Sequence, residues 1–271
     1  MSLHRINQWS ADQQRAVYAR LVPESIYAHV AGLDPQRWHG GGMNPQVLRI
    51  DAPPDLSRVH LRVPASPVQG DHALLLELEE AGAGQLELAF VTINDLTGPR
   101  FDIDRDELGR PTLLGTAWRH RAEEARALAA GLGPCQVRRG LRAFSTTLGL
   151  LDEFARQAGY VAIRLEALTY HVAIMYENAG YAYLSGHKRM RAIDAAFAPG
   201  GELHRAMDGS SPFRSPALAD TPRGRAWAIH DGVLTHLDGE QALKLEMVKV
   251  VGTRTDHRTF GRCADTTRPP A

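Results

Sequence analysis

Two short stretches of this chain carry residue types that could do chemistry together. Val137-Arg138-Arg139-Gly140-Leu141-Arg142 stands immediately before a long helical pattern. Glycine lets backbone amides turn toward an anion, and a helix N-terminus adds partial positive charge and orphan N–H donors, so a pyrophosphate would fit. A solvated basic loop with a glycine helix entry would be written in the same letters. Met175-Tyr176-Glu177-Asn178-Ala179-Gly180-Tyr181 follows about 35 residues later, a helix end turning into a strand. Its phenol could donate a proton to a departing anion. The plainer reading of Tyr176 is an aromatic packed between helix and sheet.

Other clusters resolve into ordinary structure. Asp102-Ile103-Asp104-Arg105-Asp106 has the alternating carboxylates of a calcium loop, but Glu107 stands where that turn needs glycine and no Glu closes it, which leaves a polar hairpin. Among the 12 histidines, His204, His230 and His236 lack a zinc-binding spacing. Cys135 lies beside a basic loop that would lower its pKa, yet without an identifiable partner base it reads as a structural thiol. His187-Lys188-Arg189-Met190-Arg191 could meet a phosphate or an acidic partner, or form a solvated strand edge. No nucleophile elbow, P-loop or dinucleotide fingerprint occurs, so hydrolase, NTPase and nicotinamide chemistry lose support.

Elements must position these groups. Ser10 and Gln13 form a capping-box pattern ahead of Val17 and Leu21, and Pro23 opens a second helix to about Leu33, a helical pair. Trp38 to Gly70 is Gly- and Pro-rich, with brief extended runs at Val47–Ile50 and Val59–Val63. Ala73–Glu79 and Gln85–Asp95 predict a long hairpin across Ala-Gly-Ala-Gly, with a small one over Phe101–Asp104 and Arg110–Leu114. Trp118–Leu132 is helical by propensity. Leu141, Phe144, Leu148, Leu151 and Ala155 make a helical stripe over Gly140–Gln157, stopped by Gly159. A strand over Tyr160–Leu168, a helix over His171–Ala179, a strand over Tyr181–Ser185 and a helix over Met190–Ala198 follow. Beyond a loop-rich stretch, Ala226–Leu237 and Ala242–Val251 read as strands and Thr253–Ala271 as a loose polar tail. The fold class expected is α/β, a mixed and mostly antiparallel sheet flanked by helices. It divides into a flank over 1–72, a core over 73–190 and an extension over 191–271.

Composition sets the outer bounds. With 271 residues, 44% hydrophobic and 23% charged, the chain can bury a core, and disordered or fibrous states fall away. Lys plus Arg equals Asp plus Glu, at 31 each, which argues against nucleic acid held by bulk charge. No apolar run approaches a membrane span. Two cysteines and a polar start, without an apolar leader, point to the cytoplasm.

On these residues, Arg138 to Gly186 resembles the GNAT superfamily of acyl-CoA N-acyltransferases, whose pyrophosphate loop, long helix, strand, short helix and Tyr-Glu-x-x-Gly-aromatic turn occur in this order. The resemblance implies acetyl-CoA as acyl donor, held by Val137, Arg138, Arg139, Gly140, Leu141 and Arg142. Tyr176 then stands where the family's tyrosine protonates the departing thiolate. It implies direct attack by an amine, without a metal, and a carboxylate base; of Glu87, Asp95 and Glu166, Glu166 ranks first because it ends the strand where family sites open. Implied partners are a small-molecule or peptide amine and a second copy in a homodimer, with no nucleic acid or membrane. A non-catalytic protein on the same scaffold, binding CoA or another small ligand, is the alternative. Val137 stands where the family has Arg or Gln, Arg142 where it has a small residue, and Thr169 and Val172 where it often has Asn and Ala. The helix over Trp118–Leu132 also separates the loop from the strand that normally feeds it, by an insertion or by a differently built sheet.

Overall fold

A computed structural model describes residues 2–33, 47–64, 71–113, 115, 117–239 and 242–260. Parts of the Gly/Pro-rich flank, Cys263 and the Pro-Pro end lie outside them. The helices are α1 (Leu3–Asn7), α2 (Ala11–Tyr18), α3 (Glu24–Leu33), α4 (Arg121–Ala129), α5 (Phe144–Ala158), α6 (Tyr170–Asn178), α7 (His187–Ala196), α8 (Glu202–Arg205) and α9 (Pro222–His230). The strands are β1 (Arg49–Asp51), β2 (Arg58–Pro64), β3 (His72–Glu80), β4 (Gln85–Ile93), β5 (Ala162–Glu166), β6 (Ala182–Tyr183) and β7 (Glu246–Val250). They form a mixed seven-stranded sheet in the order β1-β2-β3-β4-β5-β7-β6, so the chain is α/β. No helix among the described residues is long and apolar enough to cross a membrane.

The chain packs as two compact units, neither continuous in sequence. The first comprises Met1–Pro99, Arg138–Leu165 and Val248–Arg254; the second comprises Arg100–Val137, Glu166–Met247 and Thr255–Ala271.

In the first unit, period-two burial of Val59, Leu61 and Val63 on β2, and of Leu74, Leu76 and Leu78 on β3, puts one apolar face on the core. β3 and β4 pair antiparallel across a turn whose Gly82, Ala83 and Gly84 all take positive φ. The stripe of α5 buries Leu148, Leu151, Phe154 and Ala155, and Gly159 ends the helix at φ 82°. The expected capping box on α2 is present. Tyr160 accepts the Leu3 N–H at 2.8 Å and donates to Glu80 at 2.6 Å, which ties α1 to β3. The long helix begins at Phe144, not Gly140, because Arg142 adopts φ 58°, a left-handed conformation that a helix excludes.

In the second unit, Phe101, Ile103, Ala127, Leu132, Phe213 and Trp227 build a core, and Trp227 donates its indole N–H to the Leu132 carbonyl at 2.8 Å. Three expectations are corrected here. Ala226–Leu237 is not a strand but α9 followed by a 3-10 turn over Val233–His236. Thr221 caps that helix and Pro222 opens it, upstream of the apolar run, and a fully buried run carries no periodicity that tells strand from helix. The small hairpin reduces to one bridge between Arg105 and Pro111, because the Asp106 carboxylate takes the Leu108 and Arg110 amides and closes a tight loop instead. The tail is not loose from Thr255 to Phe260: Thr255 donates to the Gly180 carbonyl at 3.1 Å, and the buried Thr259 bonds Glu177.

Candidate functional site

The loop foreseen as an anion cradle sits in the first unit at the end of β4. β4 continues as Asn94–Pro99, the chain leaves for Arg100–Val137 of the second unit, and Arg138 re-enters the first. At the base of that excursion, Asp95 donates its amide to the Arg139 carbonyl at 2.7 Å. The inserted segment therefore separates β4 from the loop in sequence while leaving them adjacent in space. Gly140 has its role here: a Cβ on it would stand 3.3 Å from the Ile93 carbonyl oxygen, so a larger residue would press the loop off the strand end.

β4 and β5 are parallel, and their register runs only from Gln85 with Ala162 to Glu87 with Arg164. Beyond it β4 stays paired antiparallel with β3 as far as Ile93, opposite Leu74, through a bulge at Ala89 where the register shifts by one. Past that bulge, alternate residues of Phe90–Ile93 turn their N–H and C=O groups toward an edge that the registered pairing with β5 does not reach, over roughly 10 Å at 3.3–3.4 Å per residue. The pairing of the two strands stops there, and the loop stands at the far end of β4.

The arginines of the loop divide. Arg138 is 5% exposed and pairs with Asp71 at 2.8 Å, while its other arm donates to the Gly98 carbonyl at 2.7 Å. It belongs to the core of the unit. Arg142 is exposed and has no ion pair or hydrogen bond among the described residues; Arg139 is exposed at its side chain, with its carbonyl committed to Asp95. Asp95, one of the three carboxylates considered as a base, is held below the ordinary carboxylate range first by the Thr97 hydroxyl and further by His29, 3.7 Å away.

Val137, Glu166 and Tyr176 fall in the second unit. Val137 packs against the Phe101–Trp227 core, and its carbonyl accepts the Phe101 amide at 2.9 Å. Glu166 is exposed at the end of β5. Tyr176 lies buried on α6 with its ring edge-on to Tyr181, 5.3 Å between centroids, and burial pushes its phenol above the ordinary tyrosine value. Its neighbour Glu177 is buried too. That carboxylate accepts hydrogen bonds from the Tyr183 hydroxyl at 2.6 Å, from the Thr259 amide at 2.9 Å and from the Thr259 hydroxyl.

Remaining candidates settle as structure. Burial, and then Glu124, push the Cys135 thiol up to about 11, so it is protonated at neutral pH and is no activated nucleophile. The basic run His187–Arg191 forms the first turns of α7, not a strand edge, with Met190 buried and Arg189 paired to Asp238. Among the described residues, no group of three or more His, Cys, Asp or Glu side chains is placed to hold a metal ion.

Sequence reasoning missed two features. Arg138 pairs with a residue 67 positions away, which no local pattern announces. The second unit also holds a cleft of about 410 Å³ walled by the end of α4, by α6 and by the turn into α9. His171 lines it; a buried histidine in an apolar helix pattern was the available signal.

Compared with protein-family models, with curated proteins and with solved structures, the chain matches none. The functional reading accordingly rests on geometry and on the residues themselves.

Proposed function

We infer that the protein is an acyl-CoA-dependent N-acyltransferase of the GNAT kind, with acetyl-CoA as donor and an amine, small-molecule or peptide, as acceptor. The observation that carries this is the stretch of β4 that runs on past its pairing with β5 and ends beside the Arg138–Arg142 loop. Pantetheine carries amides, and an uncovered strand edge offers backbone groups to pair with them, in the manner of strand addition. The diphosphate would lie on the amides around Gly140 with Arg142, and Arg139 beside it, adding charge. Arg138 is left out of that set because Asp71 already holds it.

In the reaction the amine nitrogen attacks the thioester carbonyl. A C–N bond forms, the C–S bond breaks, and the thiolate takes a proton. The resemblance, and no placement of the two units, assigns that donation to Tyr176. Burial guarantees that its phenol is protonated at neutral pH, although the raised pKa makes it a weaker acid. Glu166, solvent-facing at the end of β5, is the proposed route for the proton of the amine.

The second reading, a non-catalytic CoA-binding protein, is favoured by the depth at which Tyr176 is buried. Titration calorimetry with CoA and acetyl-CoA, then turnover on a panel of amines, separates the two. Binding of both ligands, weakened about tenfold in Arg142→Gln, is expected. Turnover should fall by roughly ten- to ten-thousand-fold in Tyr176→Phe. Binding without turnover leaves the second reading; absence of binding removes both.

A further inference from the structure

We propose that residues 255–260 are an intramolecular occupant of a peptide groove in the second unit. In their place the groove takes an extended peptide of another protein that carries a hydroxyl residue followed by an aromatic. The proposal does not rest on the acyl-CoA reading.

The segment lies as a bound peptide lies. It belongs to no helix or strand, and its burial alternates: Thr255 and His257 are half-buried and Thr259 is buried, whereas Asp256 and Arg258 are exposed and pair with each other at 3.4 Å. Among the described residues its backbone makes one hydrogen bond to another backbone group, from the Thr255 amide to the Gly180 carbonyl at 3.1 Å. Extended peptides are recognised in this way, with alternate side chains seated at separate places along a groove.

Each of those places is built by the second unit. The Thr259 amide, at 2.9 Å, and the Thr259 hydroxyl both donate to Glu177, a carboxylate 3% exposed near the end of α6 and otherwise held by the Tyr183 hydroxyl. Phe260 lies against the Arg225 guanidinium, 4.6 Å from ring centre to carbon, and Phe197 faces the same group at 5.0 Å. The His257 ring stands 5.4 Å from His187, which itself stacks on Tyr183 at 5.2 Å. The floor is fixed by bonds in which the segment has no part: Arg225 donates to the Ala219 carbonyl at 2.6 Å and to Asp194 at 2.5 Å.

Such an occupant can leave where a core element could not. A short segment with a single backbone bond and one fully buried residue belongs to the low-stability end of local openings. Its departure strips two donors from a buried carboxylate and a ring from a buried guanidinium, groups that folded proteins seldom leave unmatched. A replacement has to bring an N–H, an O–H and a ring in that order, which selects Ser or Thr followed by an aromatic. The tethered segment competes at an effective concentration on the order of mM. A second copy's segment brings the same contacts without the tether and gains nothing, so the peptide that displaces the strap is that of another protein.

The test uses the full chain and the acetylated, amidated hexapeptide Thr-Asp-His-Arg-Thr-Phe, the sequence of 255–260. Thr259→Val with Phe260→Ala loosens the strap. Calorimetry should then find the peptide bound at least about tenfold more tightly than by the unaltered chain, with amide shifts at Gly180, Tyr183 and Arg225. The same peptide with valine in place of its second threonine should bind about tenfold more weakly. A folded double variant that leaves the peptide unbound, or binds both peptides equally, would overturn the proposal. Hydrogen exchange on the unaltered chain gives a second reading should that variant not fold: the Thr255 and Thr259 amides should open together, about a hundredfold or more faster than Ala173 on α6 and Arg225 on α9. Exchange of all four only on global unfolding would make the segment a fixed part of the core and refute a strap. A dimer that forms with concentration and is lost in the double variant would hand the groove to a second copy, and likewise overturn the proposal.

Discussion

Replacing Arg138 by methionine distinguishes the two jobs an arginine in an anion loop could have. The side chain is 5% exposed and its partner Asp71 12%, and the guanidinium holds both that carboxylate and the Gly98 carbonyl. Removing one member of a buried pair leaves the other charge stranded, which costs about 3–5 kcal/mol. At roughly 2–4 °C per kcal/mol for a chain of this size, Arg138→Met should melt on the order of 6–20 °C lower. Asp71→Asn should lose a similar amount. The double variant should lose clearly less than the sum, because the second change removes the stranded charge. Urea unfolding, compared at unchanged m-value, reads all four corners of the cycle. The reasoning fails if Arg138→Met costs under about 1 kcal/mol while CoA affinity falls tenfold, since the guanidinium would then be a ligand group and not a strut.

Further outcomes follow from the same geometry. Burial lowers His171 to about 4 from an ordinary value near 6.5, so the unfolded chain binds the proton more tightly and stability falls as pH drops from about 6.5 to 4, by on the order of 3 kcal/mol; His171→Gln should flatten that part of the urea-midpoint profile, and an unchanged slope would assign it to other groups. Gly133→Ala would place a Cβ 2.3 Å from His171 Nε2 and should destabilise by about 1–3 kcal/mol, an effect that largely disappears when His171 is also alanine. Thr259→Val strips the hydroxyl donor from the buried Glu177 carboxylate and should cost about 1–3 kcal/mol, read as faster hydrogen exchange at the Thr255 amide; unaltered exchange there would mean that the 255–260 segment is held by something else. Arg142→Gly relieves a left-handed residue and should raise stability by about 1 kcal/mol while weakening CoA, a trade that a purely structural loop would not show.

Local signals placed most of the elements. Alternation of Leu74, Leu76 and Leu78 and the Ala-Gly-Ala-Gly turn specified the β3–β4 hairpin, because period two and turn chemistry act between near neighbours. The helical stripe and Gly159 specified α5 in the same way, and misjudged only its start, where Arg142 carries a conformation normally given to glycine. α9 was misread because a run buried on every side loses the contrast on which period-based reading depends.

What the residues alone determined is therefore the α/β class, the helices and strands whose periodicity or turn chemistry is local, and the two stretches worth suspecting of chemistry. What required the folded chain is which of those residues are free to act. Arg138 is consumed by Asp71 from far along the sequence, the loop regains the end of β4 although a segment of the second unit is spliced between them, and the tail reaches back to satisfy Glu177. Each is a long-range closure whose partner is chosen by burial and charge, and such choices leave no mark in the spacing of neighbouring side chains.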